Sequence, residues 1–318
     1  MNRYIVALMM APMWLATACA TTPATVEPPP TTGTLLQPGI YRVADGAEVP
    51  AEVFFDDLEQ AKIVYVGETH DNAAHHMVQT AVLEELSRRA PGKVGLGMEM
   101  FHRPFQSVLD DYARSQIDEE TMLERAEYEE RWGFDFGFYR PMMTLMRLQG
   151  SPIAALNAPK ELTRKISREG LDALNEAEKA QIPPSFHEDN PPHREMFKQA
   201  MGSFHHGMDE ATFERFYHAQ VMWDSTMAMS AVQCFERHPQ LARLVVVAGM
   251  YHVQQGLGIP FHVEKQAGFE GRIVIPAQFG GEEPVYAEDI IGSDAGDYIW
   301  VYELPEGSQP SVDNPHEG

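Results

Sequence analysis

Five short, continuous apolar runs constrain this chain more than any other feature: KIVYV (62–66), VGLGMEM (94–100), PIAALN (152–157), RLVVVAG (243–249) and GRIVIP (271–276). A strand with one wet face alternates in polarity. A strand buried on both faces does not, so these runs predict a parallel sheet covered on both sides. Between the first two, a helical pattern over residues 75–89 sets His75, Val78, Val82 and Leu86 on one face. Strand, helix and strand at this spacing make a βαβ unit, so the class is α/β with a mostly parallel sheet. DYIWVYEL (297–304) is expected to add a strand at an edge. The helical segments over about 104–149 and 160–238 are too long for simple crossovers and predict a helical insertion lobe above one sheet edge.

The chain has its own punctuation at both ends. Residues 1–18 carry one basic residue, Arg3, then an apolar run, and read as a secretory signal. Ala16-Thr17-Ala18-Cys19 resembles a bacterial lipoprotein cleavage box, which makes Cys19 the expected lipid-bearing residue and places the chain on a membrane through an N-terminal lipid. Residues 19–39 are rich in Pro and Thr and read as a tether, residues 40–304 as the folded domain and residues 305–318 as a disordered tail. With Cys19 lipidated, Cys234 has no disulfide partner and reads as a small core residue. The net charge of −23 repels phosphate backbones and argues against nucleic acid as a partner.

Ionisable residues gather where the predicted strands end. GETHDNAAHH (67–76) follows the first strand and packs Glu68, His70, Asp71, His75 and His76 into ten residues. Glu99 ends the second strand, Asn157 the third, and His252 follows the fourth in GMYH. The carboxyl ends of parallel strands share one rim, where loops diverge and ligands bind. Each residue also has a plainer reading. Glu68 and Asp71 can cap the following helix, His76 reads as a surface residue, and His75 divides evenly between core packing and the site. Glu99, between Met98 and Met100 in an apolar strand, needs a polar partner.

Two chemistries suit this set. His70, His252 and Glu99 can surround a divalent metal ion with Glu68 as general base, giving a metal-dependent hydrolase. The Met- and aromatic-rich runs RWGFDFGFYRPMMTLM (131–146) and FERFYHAQVMWDSTMAMSAV (213–232) can instead enclose a flat porphyrin above a rim of His and Tyr. A tethered scaffold whose rim residues only satisfy one another is the third reading.

GETHDNAAHH, GMEMFHRPFQ (97–106), WGFDFGFYRP (132–141), ALNAP (155–159), AQVMWDSTMA (219–228) and AGMYHVQQGLGIP (248–260) occur in the order of the ChaN-like haem-binding lipoproteins. The resemblance spans about residues 50–280. It implies a three-layer α/β core with helical additions (EreA/ChaN-like), and a membrane-tethered protein of haem and iron uptake. It further implies haem as the cofactor, a homodimer enclosing two stacked haems, and an outer-membrane haem receptor as partner. His70 and His252 are the positions it transfers most directly, with Glu68, Glu99 and Asn157 around them. Tyr217 and Tyr251 are the candidates for a tyrosine axial ligand. The paired Gly-x-x-His motifs (67–70 and 249–252) with Glu99 also resemble the wider TraB/Tiki-like and erythromycin-esterase-like proteins, which keeps the hydrolase open. Non-acidic Ala20 and Thr21 imply, by the same analogy, a bacterial outer-membrane lipoprotein facing the periplasm.

Overall fold

The computed structural model describes residues 33–202, 208–281, 285–290 and 293–305. The expected signal, Cys19 and the tail beyond residue 305 lie outside the described residues. One seven-stranded sheet forms the centre, with strands β1 (Gly39–Arg42), β2 (Ile63–Glu68), β3 (Val94–His102), β4 (Ile153–Asn157), β5 (Arg243–Gly249), β6 (Gly271–Gln278) and β7 (Tyr298–Tyr302). Their spatial order is β1-β7-β6-β2-β5-β3-β4. All pairs are parallel except β1 with β7. The strand expected at an edge is therefore one place in. β1 covers it, and Leu35 and Leu36 extend that edge by pairing with the backbone of Tyr286 and Val285. The described end of the stretch read as tether, residues 33–39, thus lies against the body.

The helices are α1 (Ala51–Leu58), α2 (Ala73–Arg89), α3 (Gln106–Ala113), α4 (Glu119–Arg125), α5 (Tyr128–Arg131), α6 (Arg140–Gln149), α7 (Lys160–Glu169), α8 (Glu176–Lys179), α9 (Pro191–Gly202), α10 (Glu210–Arg237), α11 (Met250–Val253), α12 (Ile259–Ala267) and α13 (Ala287–Ile290). Alternate residues of each central strand face opposite layers, as the pleat requires. Val64, Val66, Leu96, Met98, Val245 and Val247 pack with Val78, Val82 and Leu86 of α2, Val108 and Leu109 of α3, and Met142, Met143 and Met146 of α6. Ile63, Tyr65, Ala154, Leu156, Leu244 and Val246 pack with Met227, Ala231 and Cys234 of α10, and with Ile259 and Val263 of α12. Helix, sheet and helix make three layers. The two long helical segments do not share one edge: the first covers one face of the sheet, and α10 from the second covers the other. Among the described residues no helix is long and apolar enough to cross a membrane.

This wiring locates a crevice. The crossovers β2→β3 and β3→β4 run over the α2 face, while β4→β5 and β5→β6 run over the α10 face. β5 lies between β2 and β3. Beyond the carboxyl ends of β2, β5 and β3 the loops leave in opposite directions, which is the switch point where open α/β sheets bind ligands.

Candidate functional site at the sheet rim

Glu68, Gly249 and Glu99 end or nearly end β2, β5 and β3, so all three reach the crevice. Glu68 is 2 % exposed. Its Oε1 accepts from His70 Nδ1 at 2.7 Å and from the Tyr139 hydroxyl at 2.8 Å, and its Oε2 accepts from Gln79 Nε2 at 2.8 Å. His76 Nδ1 lies 3.5 Å from Oε2. Burial alone raises a carboxyl pKa, but the His70 hydrogen bond and the charge of the two histidines outweigh it and hold Glu68 below its usual range. Glu68 therefore does not cap α2. Asn72 does, accepting from the amides of Ala74 and His75, and Asp71 is exposed.

His70 is the site's partly exposed imidazole. Its side chain is 26 % exposed, Glu68 holds Nδ1, and among the described residues no hydrogen bond engages Nε2. Its ring meets Trp132 at 4.6 Å and Phe134 at 5.0 Å between centroids. Burial pulls its pKa down, yet Glu68 and Glu99 raise it above the ordinary value. Gly249 keeps the space beside it open. A Cβ there would stand 3.0 Å from His70 Cε1 and 3.5 Å from Glu99 Oε2. The neighbouring histidines are inside. His75 accepts the Thr69 amide on Nδ1. His76, expected at the surface, is 3 % exposed, bonds the His70 carbonyl and Gln79, and stacks on Phe138. The α6 side of the molecule covers the face of α2 that the sequence pattern left open.

His252 is held quite differently. Its Nδ1 meets Asp224 Oδ1 at 2.6 Å and its Nε2 lies 3.3 Å from Glu99 Oε1. Glu99 Oε2 also accepts the Gly249 amide at 2.6 Å. Burial disfavours a charged imidazole, but the two carboxylates outweigh it and lift the His252 pKa to about 10. The same contacts hold Glu99 down to about 2 against the effect of its burial. His252 is thus fixed between two carboxylates that favour its charged form, and Gln220 Nε2 also lies 3.1 Å from its Nδ1. Gln220 Nε2 donates to Asp224 Oδ2 at 3.1 Å, and His193 Nε2 lies 3.4 Å from the same oxygen.

The rim residues read from sequence therefore separate into two groups. Glu68 and His70 sit with Trp132, Tyr139 and Phe134 on the α2 side. Asp224 and His252 sit on the α10 side with His193, Tyr217 and Tyr251. Glu99 stands between them. Tyr217 stacks on Phe213 and reaches the Asn190 carbonyl at 3.5 Å, and burial pushes its phenol up to about 12. The Tyr251 hydroxyl is buried with no hydrogen-bond partner among the described residues, and burial raises its pKa further still. Asn157 braces the irregular end of β3 by donating to the Glu99 carbonyl at 3.0 Å. Among the described residues no group of three or more His, Cys, Asp or Glu side chains is arranged to hold a metal ion. His252, Glu99 and Asp224 satisfy one another instead.

Asp224, Gln220 and Gln79 were not singled out from the sequence, and Tyr139 and Gly249 entered only as members of the aromatic run and of the second Gly-x-x-His motif. Asp224 carries a signal in hindsight. It is a carboxylate inside the apolar stretch of α10, four residues after Gln220 and therefore on the same helical face.

A family model described as haem-binding uptake, Tiki superfamily, ChaN matches residues 54–263. The chain belongs to this family. Its fold is similar to that of Campylobacter jejuni ChaN, solved in a study of cofacial haem binding, with a TM-score of 0.62 and 17 % identity over 82 % of this chain and 94 % of that one. An erythromycin esterase mutant, EreC, in its open conformation overlaps with a TM-score of 0.45 and 11 % identity over 76 % of this chain and 77 % of that one. RETICULATA-RELATED 5, a chloroplastic protein of Arabidopsis thaliana, is 24 % identical over an alignment 274 residues long that covers 77 % of this chain. The chain spans 35 % of the length of that relative.

The Gly249 space has a direct test. Gly249→Ala is expected to leave the fold intact, displace the His70 ring and weaken haem binding about tenfold, ~1.4 kcal/mol. Absorbance titration of the variant beside the parent measures it. An unchanged affinity would mean that the space between His70 and Glu99 is not used.

Proposed function

We propose that this chain binds haem at the sheet rim with His70 Nε2 as the donor to iron, and serves haem or iron uptake. The observation that carries this reading is the His70 ring itself. Glu68 orients it through Nδ1, Nε2 is left without a partner, and Trp132 and Phe134 flank it. A carboxylate on the far nitrogen of an imidazole ligand fixes its tautomer and raises its basicity, which is how proteins prepare histidine for a metal. Membership of a haem-binding uptake family supports the choice of haem. When bound, haem supplies the ligand-binding, redox-active iron. The chain supplies the oriented imidazole, the aromatic wall and the space at Gly249. Tethering through Cys19 to the outer membrane, facing the periplasm, belongs to the same reading, as do a homodimer on two haems and delivery from an outer-membrane receptor.

The test is a haem titration of residues 20–318 followed by absorbance, with metal content measured on the same sample. A saturable Soret shift at simple stoichiometry supports the reading. No saturable shift, together with stoichiometric zinc, manganese or iron in the protein, overturns it in favour of a metal-dependent hydrolase.

A further inference from the structure

Behind His70 runs a line of hydrogen bonds into the core. The half-buried indole of Trp132 donates from Nε1 to the Tyr139 hydroxyl at 3.3 Å, and that hydroxyl donates to Glu68 Oε1 at 2.8 Å. Tyr139 is fully buried, and the Trp132 ring meets the His70 ring edge-on. A phenylalanine at 139 would fill the same space, and Glu68 already has donors in His70 and Gln79. What the phenol adds is chemistry. A phenol that loses an electron becomes strongly acidic, so it is oxidised readily only where a base stands ready for its proton. Glu68 is that base, at hydrogen-bond distance, with an indole one bond further out at the rim.

We propose that Trp132, Tyr139 and Glu68 form a one-electron relay that draws oxidising equivalents from the rim into the protein. It rests on the haem reading for its natural source, a peroxide acting at rim-bound haem, although the relay itself consists of side chains alone. One electron leaves Trp132 for the oxidant and leaves an indole radical cation. An electron then passes from Tyr139 to Trp132 as the phenolic proton passes to Glu68. Trp132 is restored, Tyr139 is a neutral phenoxyl radical and Glu68 is a neutral acid. The positive charge on the indole and the negative charge on the carboxylate disappear together, so the step adds no net charge to the three side chains. A one-electron reductant from solution, such as a thiol, later returns the electron to Tyr139, and Glu68 returns the proton.

The experiment needs no haem. Azide radicals, generated by pulse radiolysis, oxidise tryptophan in the haem-free chain. The expected result is decay of indolyl absorbance matched by growth of phenoxyl absorbance, at a rate independent of protein concentration. Tyr139→Phe and Trp132→Phe should each lose this phase, and Trp300→Phe should keep it. Far-UV circular dichroism checks that the variants fold, and the half-buried position of Trp132 gives a second substitution independent of the core. No intramolecular phase in the parent chain, or an undiminished phase in Tyr139→Phe, overturns the relay. Because haem is absent, a failed haem titration removes the proposed oxidant and leaves this outcome readable.

Discussion

His70→Ala should abolish the saturable Soret shift on haem addition while far-UV circular dichroism stays unchanged. The loss follows from the unequal state of the two rim histidines. His70 is bonded on one nitrogen only and is partly exposed, so its other nitrogen can reach a ligand. His252 is hydrogen-bonded to Asp224 on Nδ1, and its Nε2 faces Glu99 at 3.3 Å. Glu68→Gln keeps the ring in place but weakens its orienting bond, and is expected to cost about 10- to 100-fold in haem affinity, the usual effect of losing such a support. Tyr217→Phe and Tyr251→Phe should leave the shift in place. If His70→Ala binds haem normally and Tyr251→Phe loses the charge-transfer bands of a phenolate, the ligand is Tyr251 and the assignment to His70 is wrong.

Asp224→Ala should lower stability by about 3–5 kcal/mol, the cost of stripping one partner from a buried ion pair. Asp224 is 0 % exposed and holds His252, Gln220 and the approach of His193 at once. Its loss leaves a buried imidazolium leaning on Glu99 alone. Urea unfolding, with the slope unchanged and the midpoint lowered, measures this. A change below about 1 kcal/mol would mean that the imidazolium pairing contributes little net stability.

The same cluster sets a pH window. The folded pKa of His252, about 10, lies above its ordinary 6.5. Its contribution is full below the ordinary value and fades as pH rises through 10. Glu99, at about 2 against an ordinary 4.5, contributes above 4.5 and loses that contribution as pH falls toward 2. Both are at full strength between about 4.5 and 6.5. In Asp224→Ala the alkaline decline should end at lower pH, because one of the two carboxylates that raise the His252 pKa is gone. An alkaline limb in the same place as the parent's would assign the decline to other groups.

Much of this was legible in the chain. The unbroken apolar runs could only be satisfied by strands covered on both faces, and their parallel alignment puts every strand end on one rim. Glu68, His70, Glu99, Asn157 and His252 could be placed there because each stands at or just past the end of a run. Other features resisted reading because they depend on what packs above a residue. His76 looked exposed until α6 and Phe138 were in place, and DYIWVYEL looked like an edge until β1 covered it.

What the sequence determined by itself was the sheet, the rim and the ionisable residues delivered to it, since local polarity and strand direction are enough for that. Only the tertiary structure decided what each of those residues is free to do. The two Gly-x-x-His motifs look alike along the chain, yet Asp224, far away on α10, closes both nitrogens of one histidine with the help of Glu99, while Glu68 and the bare Cα of Gly249 leave one nitrogen of the other open. A hydrogen-bond partner is a matter of distance in space, and a lone pair is available only when nothing within reach has claimed it.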